Sequence, residues 1–140
     1  MKIVFANPGE CSRIVETCAL ERIIDQTVKI KTERSPFSDD ENICVVMDKE
    51  ALTFMIHPNR LIDTAEDPFP VFGPCIFCQK QDGKYTGLTD EQIQKVEKKY
   101  HLPEQCFINH EQRIMLWASY NPEEKFPQKG QTGKTKGEER

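Results

Sequence analysis

Two cysteines, Cys75-x-x-Cys78, stand at the separation used by zinc knuckles and thiol redox motifs. Such motifs bend the backbone between or just after the sulfurs so that both thiolates face one point. Here Ile76-Phe77 lies between the sulfurs, Gly73-Pro74 precedes them and no glycine follows closely. Read as a strand, the segment sends residues three apart to opposite faces of a sheet, where they cannot share an ion. A thiol-disulfide catalyst is disfavoured as well, since Cys75 is not placed at a helix amino terminus, where the dipole would lower its pKa. Cys11, Cys18, Cys44 and Cys106 form no second close pair in sequence, and His57, His101 and His110 are scattered. The expectation is therefore no metal site and no cofactor, with the thiols packed as small apolar groups. A cysteine nucleophile partnered by His57 or His110 stays open, because such partners meet only in space.

Anion-binding chemistry has one candidate. In His57-Pro58-Asn59-Arg60-Leu61 an imidazole, an amide and a guanidinium follow directly on an expected strand. From a strand end, Asn59, Arg60 and His57 would reach an anion or a partner's carboxylate, and they are the candidate binding residues. The alternative is a turn in which Asn59 bonds its own backbone and Arg60 pairs with a loop acid such as Asp63. Asp39-Asp40-Glu41 lacks the ligand periodicity of a calcium loop and reads as a solvated turn. The seven glycines fit neither Walker nor dinucleotide spacing, so the usual phosphate cradle is missing. No convergent set of nucleophile, base and oxyanion donors emerges, and no catalytic residue is expected.

These residues must be positioned by short elements. Met1–Ala6 alternates like a strand and Asn7-Pro8-Gly9-Glu10 supplies a turn, after which Ser12–Glu16 returns as a hairpin. Leu20, Ile23 and Ile24 recur at helical spacing, predicting a short helix that starts near Thr17. Thr27–Lys31 alternates with period two and predicts a strand, followed by a polar loop from Ser35 to Glu41. Ile43–Met47 and Leu52–Ile56 read as two strands of a hairpin. An acidic, proline-containing loop over 64–70 leads to the extended apolar segment Phe72–Gln79, and the Asp82-Gly83 turn ends the sheet near Tyr85. Thr89 precedes Gln92 by three residues, a capping-box spacing, and Ile93, Val96 and Tyr100 mark one stripe of a helix that stops before Pro103. Over 106–120 the apolar residues Ile114, Met115, Leu116 and Trp117 are contiguous, and the reading leans to strand. No repeat is present. Together these predict an α+β fold: a mostly antiparallel or mixed sheet with two helices on one face.

The 140 residues, 37% hydrophobic and 30% charged, fit one domain over 1–120. From Asn121 onward Phe126 is the only large apolar side chain, too little to offset the entropy of ordering, which predicts a disordered polar tail over 121–140. A net charge of -4 argues against broad electrostatic binding of nucleic acid. No apolar run approaches the length of a membrane span or a secretory segment, so a cytoplasmic chain without membrane contact is expected.

Lys2-Ile3-Val4-Phe5 with Asn7-Pro8-Gly9-Glu10, the Leu20-Glu21 helix, Asn59-Arg60, Gly73-Pro74 and Leu88-Thr89-Asp90-Glu91-Gln92-Ile93 together resemble an uncharacterised domain family of small phage and mobile-element proteins, over roughly residues 2–105. The resemblance implies apolar strand residues where Cys75 and Cys78 stand. It also implies a cytoplasmic accessory protein that acts by stoichiometric binding to a host or element protein. The expected function is thus non-catalytic protein binding through a sheet face or edge strand and the loop around Asn59 and Arg60. The rival is sequestration of an anionic small molecule such as a nucleotide.

Overall fold

The computed structural model describes residues 1–124. Ten strands and three helices follow in the order β1 (Lys2–Ala6), β2 (Arg13–Glu16), α1 (Leu20–Thr27), β3 (Lys31–Arg34), β4 (Ile43–Asp48), α2 (Lys49–Phe54), β5 (Pro58–Ile62), β6 (Phe69–Phe72), β7 (Cys75–Gln81), β8 (Lys84–Thr86), α3 (Asp90–Tyr100), β9 (Glu104–Asn109) and β10 (Ile114–Ser119). The fold is α+β, and every strand pairing is antiparallel. The central sheet runs β2-β1-β7-β4-β3, with β8 folded back on the end of β7, and two small sheets, β5-β6 and β9-β10, lie beside it.

The sheet is covered on both faces, because its inner strands β1, β4 and β7 are apolar at successive positions and bury both rows of side chains. Ile3, Cys44, Val46, Ile76 and Cys78 meet Leu20 and Ile24 of α1 on one face. Val4, Ala6, Val45, Met47, Cys75 and Phe77 meet Ile93, Val96 and Tyr100 of α3 on the other. The two long helices thus divide between the faces instead of sharing one. Phe77 and Tyr100 stack with ring centroids 5.9 Å apart, joining the middle strand to the last turn of α3.

Several segments depart from the expected elements. Phe69 and Pro70, expected in the loop over 64–70, belong to β6, and the extended run expected over Phe72–Gln79 is broken at Gly73, φ +76°, so that β7 begins at Cys75. Thr27 ends α1, its hydroxyl donating to the Ile23 carbonyl at 2.7 Å, and the strand expected at Thr27–Lys31 begins only at Lys31. Leu52–Ile56 is not a strand. Asp48 caps α2 by accepting from the Glu50 N–H at 2.9 Å, and the helix closes at Met55 in the left-handed region, with φ 53°. Asn121–Glu124, assigned to the tail, forms a turn in which the Asn121 side chain accepts from the Glu123 N–H at 3.0 Å. The rest of the expected tail, 125–140, lies outside the described residues.

The α3 cap matches its sequence pattern. The Gln92 N–H donates to Thr89 Oγ1 at 3.2 Å, and the Thr89 N–H donates to Gln92 Oε1 at 2.9 Å. Thr89→Ala should lower stability by about 1 kcal/mol in urea denaturation, the usual cost of losing an N-cap side chain. No change would mean that water replaces the cap.

Candidate functional site

Asn59 and Arg60 sit in β5 and not in a turn beyond a strand. The register of β5 on β6 shifts between Pro58 and Arg60, so Asn59 is an extra residue and the strand bulges there. In a regular strand these neighbours would point to opposite faces; the bulge turns both inward, and each is 0% exposed. The expected reach of Asn59 and Arg60 toward solvent is therefore corrected. Their polar atoms face the interior because main-chain carbonyls converge on them there.

Arg60 commits all its N–H groups internally. Nε donates to the Tyr100 carbonyl at 2.5 Å, and Nη2 donates to the carbonyls of Glu10 at 2.8 Å and His101 at 2.9 Å. Nη1 reaches the Asn7 carbonyl at 3.5 Å and the Asn59 side-chain oxygen. Tyr100 and His101 end α3, so the cation sits at the negative pole of that helix. Burial draws the guanidinium pKa below its ordinary value, while the Glu104 carboxylate is among the groups opposing that shift. Asn59 completes the junction by donating to the carbonyls of Ala6 at 3.0 Å and Gly73 at 2.7 Å. Gly73 holds φ +76°, and a Cβ there would come within 2.9 Å of the Ala51 Cβ, so the chain needs glycine at this contact. One guanidinium and one amide thus tie the first turn, β5, the β6–β7 turn and the end of α3 together. No Arg60 donor is left for an incoming anion.

His57 alone of the three candidate residues is exposed. Its backbone is left-handed, with φ 60°, and its carbonyl accepts the Gly73 N–H at 2.8 Å. Its side chain borders a shallow hollow shared with Pro8, Glu104, Cys106 and Phe107.

Beside the junction, Ser12, Glu97 and His101 come together. The Ser12 hydroxyl contacts the Glu97 carboxylate and lies 3.0 Å from His101 Nδ1, which is itself 3.6 Å from Glu97 Oε2. A hydrolytic relay places nucleophile and carboxylate on opposite ring nitrogens. Here both meet Nδ1, and Ser12 is buried. The arrangement latches β2 to the end of α3, reinforced by the Ser12 N–H on the His101 carbonyl at 2.7 Å. A neighbouring cleft of about 310 Å³ is lined by Asp63, Lys98, Lys99, His101 and Glu104 among others. Its charges are largely matched: Asp63 accepts from Tyr100 at 3.0 Å and lies 3.6 Å from Lys99, and Glu104 accepts the Leu61 N–H at 2.6 Å.

The sulfurs separate as the strand argument requires. Cys75 lies on the α3 side of the sheet and Cys78 on the α1 side. The register of β4 on β7 sets Cys44 opposite Cys78, their Sγ atoms 3.7 Å apart, a pairing invisible in sequence spacing. Among the described residues no three of His, Cys, Asp and Glu gather at a metal-binding distance. Burial pushes the Cys75 thiol up to about 12, opposed by Arg60, and the Cys44 contact together with burial raises Cys78 as well. Under native conditions a thiol reagent should label exposed Cys18 first and half-buried Cys11 and Cys106 more slowly, with Cys44, Cys75 and Cys78 reacting only on unfolding. Intact mass against time checks this; rapid native labelling of Cys75 would contradict the packing.

The feature that sequence reasoning missed as a site is the β9-β10 hairpin. Its register pairs Phe107 with Leu116 and Asn109 with Ile114 on one face, and Cys106 with Trp117 and Ile108 with Met115 on the other. The second face packs inward at its root, where Trp117 meets Phe72 edge-on at 5.8 Å. The first face has nothing over it among the described residues: Phe107 is 55%, Leu116 57% and Ile114 41% exposed. The available signal was two uncharged stretches around the polar turn Asn109–Arg113, a hairpin pattern with apolar residues on both faces.

A family model described as a domain of unknown function, DUF3846, matches residues 1–101. No curated protein and no solved structure matches the chain. The hairpin lies beyond the matched residues.

Proposed function

The chain belongs to the DUF3846 family of domains of unknown function, and from that premise we propose that it is a non-catalytic binding protein whose contact surface is the outer face of the β9-β10 hairpin. The observation that carries this reading is the exposure of Phe107, Ile114 and Leu116 side by side. Scattered surface apolars need no explanation, but contiguous ones mark interaction sites. The polar groups of the body support the same reading from the other side, since Arg60, Asn59 and Ser12 are spent on internal bonds. Two strands of six residues offer a face roughly 20 Å long and about 10 Å wide, the footprint of one helix about 13 residues long. The partner is accordingly a protein presenting an amphipathic helix, with apolar side chains at i, i+3 or i+4, and i+7. No helix among the described residues is long and apolar enough to cross a membrane. A cytoplasmic phage or mobile-element setting belongs to the proposal by resemblance alone.

The test is capture from host extract with the full chain beside a Phe107→Ser/Leu116→Asp variant. A partner retained by the first at fixed stoichiometry and lost by the second, with the fold intact, supports the reading. Equal retention by both would sink it. The rival, sequestration of an anionic nucleotide, would use Lys98 and His101 at the cleft beside α3. Nucleotides that raise the melting temperature of the purified chain would favour it.

A further inference from the structure

We propose that the free edge of β10 pairs antiparallel with β10 of a second copy of this chain, about a two-fold axis at Trp117. The inference concerns main-chain atoms at an edge, and goes beyond the reading of the outer face as a partner site.

The chain protects the two outer strands of its central sheet and leaves this edge bare. The central sheet ends in β2, Arg-Ile-Val-Glu, and β3, Lys-Thr-Glu-Arg, and both carry the charges with which natural edge strands resist pairing. β10 reads Ile-Met-Leu-Trp-Ala-Ser, with no charge, no proline and no bulge in its register. No strand lies on its second edge among the described residues.

Register decides which atoms are free. The Tyr120 N–H donates to the Pro103 carbonyl at 3.1 Å, so position 120 belongs to the set bonded to β9. Antiparallel ladders alternate, which adds Ala118, Leu116 and Ile114 to that set and turns the N–H and C=O of Met115, Trp117 and Ser119 toward the open edge. Three outward residues at a spacing of two are self-complementary. With Trp117 opposite its own copy, Met115 faces Ser119 and Ser119 faces Met115, and every outward group has a partner. The same symmetry brings the hairpin tip, which carries both Glu111 and Arg113, level with the Asn121–Glu124 turn of the other copy. The paired strands themselves carry no charge, so no like charges face each other along Ile114–Ser119. A closed two-fold contact of this kind uses up the edge and stops at two copies. Since it spans only about 20 Å of edge, the association belongs to the weak class, with a dissociation constant on the order of 100 µM.

The test is sedimentation equilibrium of the full chain over a concentration series, with amide exchange followed at low and high concentration. The average mass should rise from the 16.2 kDa of one chain toward twice that value. Exchange at Met115, Trp117 and Ser119 should slow about tenfold at high concentration, while Ile114, Leu116 and Ala118, already bonded within the hairpin, stay unchanged. Met115→Pro removes an outward donor without touching the β9 ladder and should hold the chain at monomer mass. Ser119→Pro removes the outward donor at the other end of the strand and should likewise hold the chain at monomer mass if the Met115 variant fails to fold. Monomer mass throughout the series, or concentration-dependent protection at Ile114, Leu116 and Ala118 instead, overturns the proposal.

Discussion

Arg60→Ala should lower the unfolding free energy by about 3–5 kcal/mol, the largest effect expected of any single substitution in this chain. Four carbonyls, at Asn7, Glu10, Tyr100 and His101, accept from the guanidinium. Truncation removes a fully buried side chain and strips its donors from these oxygens; Asn7 and His101 keep the N–H groups of Glu10 and Ser12, whereas the Glu10 and Tyr100 carbonyls lose theirs, and each orphaned buried group costs roughly 1–3 kcal/mol unless water enters the space. Arg60→Lys keeps the charge but offers three donors on a single nitrogen, which cannot span carbonyls on two separate segments, the Asn7–Glu10 turn and the end of α3, so most of the loss should remain. Arg60→Met tests whether shape alone suffices: it fills much of the volume and satisfies no carbonyl. Urea denaturation of the three variants at neutral pH is the measurement. An alanine cost below about 1 kcal/mol would mean that solvent reaches the junction and that Arg60 does not organise it.

The Arg60 junction also shows where sequence reading stops. Strand existence was legible wherever alternation or an apolar run was strong, as at Lys2–Ala6 and Ile43–Met47, and the opposite orientation of Cys75 and Cys78 follows from strand parity alone. The α3 start was legible because a capping box is local chemistry written in two residues, Thr89 and Gln92. Asn59 and Arg60 stand out in the sequence as a polar pair beside a strand, but the bulge that turns both inward depends on the β6 register and leaves no local signature. Leu52–Ile56 looked strand-like by its apolar content, but Asp48 caps the preceding turn and Met55 closes it, and α2 buries none of its residues. The Cys44–Cys78 contact and the division of the helices between faces both follow from the strand order β2-β1-β7-β4-β3, which long-range pairing decides. Ser12, Glu97 and His101 meet for the same reason, across more than eighty residues of chain.

The second large effect should appear in binding and not in stability. Phe107 and Leu116 face each other across the hairpin and are each more than half exposed, so covering them on association gains roughly 1 kcal/mol apiece from the area removed from water. Leu116→Asp adds a cost, because a carboxylate pressed against an apolar partner must be desolvated or must keep the partner away. Together, Phe107→Ser and Leu116→Asp should weaken partner affinity by at least about 30-fold, or about 2 kcal/mol. The folded chain should hardly notice, because both side chains project from the face opposite the Trp117–Phe72 anchor, and surface changes of this kind stay within about 0.5 kcal/mol. Trp117→Ala is the informative opposite. It leaves the outer side chains in place but removes the ring that holds the hairpin root to Phe72, so it should lower both stability and affinity. Calorimetric titration of the captured partner into each folded variant separates the cases. A double variant that binds within threefold of the parent chain would mean that this face is bystander surface, and the search for the contact would move to the cleft beside α3, where Lys98 and His101 meet solvent.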